Sequence, residues 1–229
     1  MQKTFHEKRT VGLLLTFIGG IMDSYTYIHY NAFSSAQTGN IVLAIIEAGD
    51  GQWQNVGKKL LSTLFFLFGI IIAKYLTNYF KAKKITYWRL FILYFEALAF
   101  FLVGLPSINQ HPLIVTTTIS FSAAIMWVIF DKINGLAYTN LFTTGNLKGM
   151  ATSFYDCFIS KNKAALAEFY HFFSVVIAFI LGIIAAVWCF HTIGDQTIFL
   201  ASLVFLYLAL RETYLVWRYY QIPINVHQK

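Results

Sequence analysis

Charged residues are scarce in this chain, at 12% of 229 residues. Soluble domains carry about 25%, so this chain has too few charges to cover a surface that faces water. Hydrophobic residues make up 58% of the sequence, and the mean hydropathy is +0.61. These values exclude an ordinary soluble domain and predict an integral membrane protein.

Cysteine is also nearly absent. Cys157 and Cys189 are the only two in the sequence, which is too few for a disulfide framework. On the topology predicted below they lie near opposite faces of the membrane, and cysteines that far apart cannot be joined. We therefore expect no disulfide.

Motifs of catalysis and nucleotide binding are missing. The sequence has no nucleophile with a base at a recognisable spacing, no phosphate-binding loop and no cysteine–histidine cluster. The net charge of +7 is not arranged as a basic stripe with interleaved aromatics, the pattern of nucleic-acid binding. Glu168 and His171 share a helical face, but no further ligand is spaced to complete a metal site. We expect no enzyme, no nucleic-acid partner, no cofactor and no metal.

Six apolar segments approach the length of about 20 residues that a membrane-spanning helix needs. They cover residues 11–32, 56–80, 87–105, 113–130, 164–190 and 197–219. Pro106 and Pro112 bracket the loop between the third and the fourth. No soluble domain or long linker is present, so we expect an all-α fold with one membrane domain over residues 1–229.

Lysine and arginine are distributed unevenly over the two sides of this topology. With the N-terminus inside, 15 of the 17 fall on the cytoplasmic side. They are Lys3, Lys8, Arg9, Lys74, Lys81, Lys83, Lys84, Arg89, Lys132, Lys148, Lys161, Lys163, Arg211, Arg218 and Lys229. Lys58 and Lys59 are left outside. The positive-inside rule then predicts that both termini are cytoplasmic.

The tripeptide Thr38-Gly39-Asn40 recurs as Thr144-Gly145-Asn146, and we call these the TGN triplets. Each follows a long hydrophobic segment and begins an apolar run too short to cross a bilayer, residues 41–46 and residues 147–158. Threonine at such a position is suited to cap a helix N-terminus, and glycine allows a sharp turn or a close approach. Paired broken segments are typical of the binding site of a transporter.

A second match supports an internal repeat. Residues 66–73 align with residues 179–186, with Phe, Gly, Ile, Ile and Ala identical in register. Residues 8–105 and residues 113–219 then each contain three spanning helices, and an odd number means that the halves enter from opposite faces. We expect two inverted three-helix repeats, each with a broken or re-entrant TGN segment.

Several of these features resemble the YoaK-like family of bacterial membrane proteins, a family of unknown function. They are Gly20 and Asp23 in the first helix, Phe33 before the first triplet, Gly69 in the second helix, and the two triplets. The resemblance covers nearly the whole chain and implies a six-helix protein of the bacterial inner membrane. Members often carry Gln or Asn near the end of the fourth helix, where this chain has Met-Trp-Val-Ile at residues 126–129. Asn134 and Asn140 are the candidates to substitute for that amide.

Two acids lie inside predicted spans. A carboxylate at that depth costs roughly 3 kcal/mol to insert and usually faces a cavity or a partner. Asp23 is interpreted as a proton, cation or substrate site, or else as a carboxylate that caps backbone where the helix breaks. Glu96 is interpreted as a proton-coupling group or as a hydrogen-bonding group between helices. Glu47, at a segment end, is expected to be solvated.

The fourth segment is rich in hydroxyl groups, at Thr116, Thr117, Thr118, Ser120 and Ser122. Such side chains often satisfy carbonyls of their own helix. The alternative is that they line a polar path beside the second triplet.

We expect a secondary transporter or channel for a small solute or ion, with its site between the two repeats. The predicted substrate-binding residues are Asp23, Thr38, Gly39, Asn40, Glu96, Thr144, Gly145 and Asn146. Two alternatives stay open: the triplets are surface turns at the membrane interface, and the chain is a non-transporting scaffold or sensor. The lipid bilayer is the predicted partner, and a homo-oligomer is left open.

Overall fold

The computed structural model describes residues 5–221, with side chains as far as Tyr219, and helices account for 82% of it. Lys3 and Lys229, which the charge count above includes, lie outside the described residues. The helices are α1 (Arg9–Tyr30), α2 (Gln37–Gly49), α3 (Trp53–Ala82), α4 (Trp88–Val103), α5 (Pro106–Asn109), α6 (Pro112–Ile129), α7 (Thr144–Phe154), α8 (Ala165–Ile193) and α9 (Ile198–Gln221). Short 3₁₀ helices lie at Phe5–Glu7 and Gly194–Thr197, and a π-helix at Tyr155–Ile159 continues α7.

Each of the six predicted apolar segments corresponds to a helix, and the bounds agree to within three residues. A long apolar segment satisfies its backbone polar groups most completely as a helix, which is why composition predicts these elements well. Chain breaks follow local signals. The backbone leaves α1 at Asn31, which adopts a left-handed φ of 51°, and Pro112 begins α6 in the first turn, where proline is tolerated.

Four stretches of the described residues are long and apolar enough to cross a membrane: Arg9–Tyr30, Trp53–Ala82, Pro112–Ile129 and Ala165–Tyr219. The last stretch contains both α8 and α9. Helix α4 has 16 residues, about 24 Å of helix, and is the shortest of the six helices that correspond to predicted spans. The structure is that of a helical, membrane-like protein, and six spans remain a prediction.

A hairpin that we did not predict lies between α6 and α7. Strands β1 (Lys132–Ile133) and β2 (Leu136–Ala137) pair antiparallel. Asn134 and Gly135 form the turn with φ angles of 51° and 86°. An Asn-Gly pair is the strongest short-range signal for such a turn, so the sequence contained this information.

The helices pack in pairs in which glycine allows close approach. Helix α1 packs mainly on α8, and α3 mainly on α6. A Cβ atom added at Gly182 would lie 2.0 Å from the carbonyl oxygen of Phe17, and one added at Gly69 would lie 2.7 Å from the carbonyl oxygen of Phe121. Both crossings therefore need a residue without a side chain. Helix α4 packs on α9, α2 on α3, and α7 on α8.

The innermost helices are α1 and α6, in which 67% and 56% of the most apolar stretch is buried, against 22% in α3. Large apolar side chains cover the outer faces of α3 and α8, including Leu64, Phe68, Ile71, Ile184 and Trp188. Exposed apolar surface on this scale is unusual for a protein surrounded by water. It is the surface expected of helices that contact lipid.

Glu47 is not solvated, and that prediction is wrong. Its two carboxylate oxygens each lie 2.7 Å from Lys59 Nζ, and Asn31 Nδ2 donates to Oε1 at 2.9 Å. Lys59 has no exposed surface and Glu47 is 7% exposed. The tight turn between α2 and α3 folds one helix back on the other and removes both charges from solvent. Charges taken out of water need a partner of opposite charge, and here Glu47 and Lys59 are each other's partner.

A second buried carboxylate joins the two ends of the chain. Glu212 of α9 is fully buried, accepts from Lys8 Nζ at 2.8 Å and also bonds its neighbour Arg211. Arg211 and Glu212 form a local ion pair, and Lys8 extends it. The cluster fixes the start of α1 against the last long helix.

Candidate solute site at the TGN triplets

The TGN triplets lie in the first turns of α2 and α7. Helix α2 begins at Gln37, one residue before the first triplet, and α7 begins at Thr144. The cap positions are Ala36 and Thr143, and neither side chain makes a capping hydrogen bond. The prediction that the triplet threonines cap their helices is therefore wrong, because Thr38 and Thr144 are the second and the first residue of their helices and lie after the cap position.

The asparagines of the triplets hold the loops that precede their helices. Asn40 Oδ1 accepts from the backbone N–H of Phe33 at 2.8 Å, and Asn40 Nδ2 donates to the carbonyl of Phe33 at 2.7 Å. Asn146 makes the same two bonds with Thr139, at 3.2 and 2.8 Å. Both amides are buried. In this structure their polar atoms are occupied by backbone.

Asp23 bonds the loop before the first triplet with both carboxylate oxygens. Oδ1 accepts from Ser34 Oγ at 2.9 Å and from the backbone N–H of Ser35 at 2.8 Å, and Oδ2 accepts from Ser35 Oγ at 2.5 Å. Asp23 is 7% exposed. Its carboxylate therefore fixes backbone where the first helix breaks, as the structural interpretation of this residue predicts.

A polar network continues from this loop into α3 and α6. Gln37 Nε2 donates to the Ser34 carbonyl at 2.8 Å, and Asn40 Nδ2 donates to Gln37 Oε1 at 2.9 Å. The hydroxyls of Ser62 and Ser120 lie 2.6 Å apart. Ser62 also donates to the carbonyl of Phe33 at 3.1 Å. The network ties the first triplet to two helices that are distant in sequence.

The hydroxyls of α6 do different things. Thr116 and Thr117 donate to carbonyls of their own helix, at 2.7 and 2.6 Å. Ser120 belongs to the network around the first triplet. The alternative of a hydroxyl path beside the second triplet is therefore wrong for Ser120, because α6 packs on α3, which carries Ser62.

A cleft of about 450 Å³ lies where the loops before the two triplets meet α1 and α8. Its polar lining includes Asp23, Ser24, Thr143 and Thr144, and its apolar lining includes Tyr27, Ile28, Phe33, Phe142, Phe179 and Ile183. The structure thus brings Asp23 together with the start of the second triplet. Thr38, Gly39, Asn40, Gly145, Asn146 and Glu96 are outside the lining of this cleft.

Thr143 is a polar residue of this cleft whose buried hydroxyl has no partner among the described residues. It stands at the N-terminal end of α7, where backbone N–H groups of the first turn lack partners within the helix and the helix dipole is positive. An acceptor atom of a solute, such as a carbonyl or carboxylate oxygen, would pair with the Thr143 hydroxyl and with these N–H groups.

Glu96 lies away from the cleft, in α4. It is 1% exposed, and its carboxyl oxygens are buried. The polar group that interacts with them is the buried Ser122 hydroxyl of α6. In residues 5–221, no group of three or more His, Cys, Asp or Glu side chains is suited to hold a metal ion.

Sequence reasoning missed Ser34, Ser35 and Thr143. The signal for the serines was their place, between an intramembrane acid and the break that follows it. Asn140, one of the two candidates to substitute for the amide that family members often carry near the end of the fourth helix, lies against that helix end. Its Nδ2 donates to the carbonyls of Met126 and Phe130, at 3.2 and 3.1 Å.

The sequence of the chain matches a known protein family. A family model described as protein of unknown function (DUF1275) matches residues 11–210, most of the chain. The chain belongs to the DUF1275 family. The DUF1275 region contains every residue of the candidate site, but its description states no activity and does not carry the YoaK-like name, so that resemblance stays a prediction. No curated protein and no solved structure matches the chain.

Proposed function

We propose that the chain is a non-enzymatic secondary transporter or channel for a small solute, and that the 450 Å³ cleft is its binding site. The observation that carries the proposal is that one cleft collects an intramembrane acid, the loops before both triplets and the start of α7. Solute sites of transporters are typically formed at broken helices between repeats. The cleft walls favour a solute with an apolar body and one carbonyl or carboxylate group.

The proposed architecture is two inverted repeats over residues 8–105 and residues 113–219, with six spans. The helix pairs support it, because α1 on α8 and α3 on α6 are the same pairing with the two halves exchanged. The Asn40 and Asn146 bonds support it too, since each amide holds the residue seven positions before it.

The first short helix fits a position inside the membrane. Helix α2 has 13 residues, about 20 Å, too short to span a hydrocarbon core of about 30 Å. Its exposed face is apolar, with Ile41, Ile45 and Ile46, while Asn40 and Glu47 are buried. A helix with polar groups inside and apolar groups outside is suited to lipid, which favours a re-entrant segment over a surface turn for α2.

We further propose a location in the bacterial inner membrane with both termini cytoplasmic, from the distribution of Lys and Arg. Reporter fusions after residue 221 and in the loop at Gln110 are expected to report opposite sides. Two reports from the same side would remove the inverted repeat.

The solute is sought by comparing metabolites that accumulate in proteoliposomes with and without the protein. We expect saturable accumulation of one solute class, abolished by Thr143→Val, which removes only an unpartnered hydroxyl. Thr117→Val is the matched control, because Thr117 is half-buried, lies outside the cleft and bonds its own helix. Both variants should keep the thermal stability of the parent.

Three results would contradict the proposal. The first is an absence of accumulated solute together with a protein that co-purifies at fixed stoichiometry, which would favour a scaffold or sensor. The second is equal uptake by Thr143→Val and the parent, which would place the solute elsewhere. The third is equal loss of uptake in Thr117→Val.

A further inference from the structure

A second cleft, of about 590 Å³, lies where the start of α1 meets the β1–β2 hairpin and the first turns of α8. Arg9, Asn134, Tyr170 and His171 are among the residues that line it. Arg9 is exposed and makes no ion pair with any residue in the described part of the chain. The cleft therefore contains a free cationic group beside several neutral donors.

His171 supplies an independent sign of a ligand. Its side chain is 8% exposed, it lines the cleft, and its Nε2 atom has no hydrogen-bond partner among the described residues. The ring is held edge-on to Tyr138 and Phe172, with ring centroids 6.4 and 4.9 Å away. Leaving a buried polar atom unpaired is unfavourable. A ligand oxygen in the cleft would pair this nitrogen.

An apolar groove of about 540 Å³ continues from the same place along α1 and α8, and it shares Arg9 and Tyr170 with the first cleft. Leu13 and Phe17 follow Arg9 at four-residue steps on one face of α1, and Ile177 and Leu181 face them from α8. The two spaces together offer a charged end and an apolar extension that runs toward the middle of the helices.

We propose that these two spaces bind one anionic membrane phospholipid. Its phosphate lies against Arg9 and His171, and one acyl chain lies in the apolar groove. The arginine guanidinium presents its donors in a fork that matches phosphate geometry. Basic pockets between membrane helices bind lipid head groups in the same way.

The position along the helices fits a lipid head group. Arg9 is the first residue of α1 and His171 lies in the second turn of α8, so both are at the ends of long apolar helices, where head groups meet the hydrocarbon. Tyr170 is 54% exposed, and amphipathic aromatic rings favour this depth. The Ala137 carbonyl and the Glu168 carboxylate both act on the His171 ring, and neither residue lines either space. A soluble anion would use the polar cleft and leave the groove empty.

The test measures binding to the purified full chain in detergent, from the shift in thermal midpoint and from native mass spectrometry. The probes are dioleoylphosphatidylglycerol, dioleoylphosphatidylcholine, inorganic phosphate and glycerol 3-phosphate. We expect the anionic lipid to bind at least tenfold more tightly than the neutral lipid, and the two soluble anions to give no shift at matched concentration. Arg9→Gln and His171→Gln should each lose most of that preference.

Two further variants keep the proposal open to refutation if Arg9→Gln or His171→Gln fails to fold. Leu181→Trp fills the apolar groove from an exposed position and should weaken the lipid tenfold or more, with the fold intact by circular dichroism. Arg218→Gln is the matched control, an exposed arginine near the end of α9 outside both spaces, and should bind as the parent does. Equal binding of both lipids, an equal shift with phosphate alone, or unchanged lipid binding in Leu181→Trp would each overturn the proposal.

Discussion

Asn40 and Asn146 make the same pair of hydrogen bonds in two distant parts of the chain. Each accepts from the N–H and donates to the carbonyl of the residue seven positions earlier, Phe33 in one case and Thr139 in the other. The amide thus replaces the partners that backbone loses where a helix is interrupted. A broken helix can stay inside an apolar environment only if such groups are satisfied.

Replacing either asparagine with alanine should destabilise the protein. Asn40→Ala leaves the Phe33 N–H unpaired, while the Phe33 carbonyl keeps the Ser62 hydroxyl. Asn146→Ala leaves both the N–H and the carbonyl of Thr139 unpaired. Each unpaired group costs about 1–3 kcal/mol. The measurement is the thermal midpoint in detergent. Asn55→Ala is the control, because the Asn55 amide bonds only the side chains of Gln52 and Lys58 and holds no backbone group. A midpoint unchanged in Asn40→Ala would show that water or lipid already serves these groups.

Glycine at the crossing of α1 and α8 should be irreplaceable. In Gly182→Ala the new methyl group would lie 2.0 Å from the carbonyl oxygen of Phe17, so backbone must move at an expected cost of about 1–3 kcal/mol. Gly57→Ala is the matched control, a helical glycine in α3 with no atom within 4 Å of the added carbon. It should be neutral or stabilising by about 0.5–1 kcal/mol, since alanine favours helix. Equal midpoints for the two variants would contradict the close crossing.

The Glu47–Lys59 pair should show strong coupling in a double-mutant cycle. Lys59→Met or Glu47→Leu alone leaves a buried charge without its partner, a loss of about 3–5 kcal/mol. The double variant should recover much of this loss, because both charges are gone. Lys58→Met is the control. Lys58 precedes Lys59 in the chain, is half-buried and donates to Asn55 Oδ1 at 3.3 Å. Additive losses in the cycle would mean that the two charges do not depend on each other.

Acid should weaken the protein through His6, which lies before the first long helix. Burial lowers the pKa of His6 to about 3, with smaller contributions from Arg89 and Lys81. In the unfolded chain a histidine titrates near 6.5, so below pH 6.5 the unfolded state takes up a proton that the folded state refuses. The contribution is complete above about pH 6.5 and is lost as the pH falls toward 3.

At pH 5 this loss amounts to about 2 kcal/mol relative to pH 7. His6→Gln removes the titrating group, so the drop in thermal midpoint between pH 7 and pH 5 should shrink in this variant. The same drop in the parent and in His6→Gln would assign the acid sensitivity to other groups.

The sequence by itself determined the helices and the two breaks. A long apolar segment pairs all of its backbone N–H and C=O groups most completely as a helix. Composition therefore located α1, α3, α4, α6, α8 and α9 to within three residues. The repeated triplets likewise located α2 and α7, because each triplet follows a long hydrophobic segment and begins a short apolar run. Neither result needed knowledge of which helices touch.

Tertiary structure decided which polar groups meet. Asp23, Ser34 and Ser35 are near in sequence, but only the path of the loop brings their atoms into contact. Glu47 lies at the end of an apolar segment, where solvation is expected, and it is the turn before α3 that buries its carboxylate against Lys59. Ser62 and Ser120 are 58 positions apart and meet because α3 crosses α6 at Gly69. Apolar helices resemble one another in composition, so their pairing depends on shape at such contacts. The cleft between the triplets exists because those pairings place α8 beside α1.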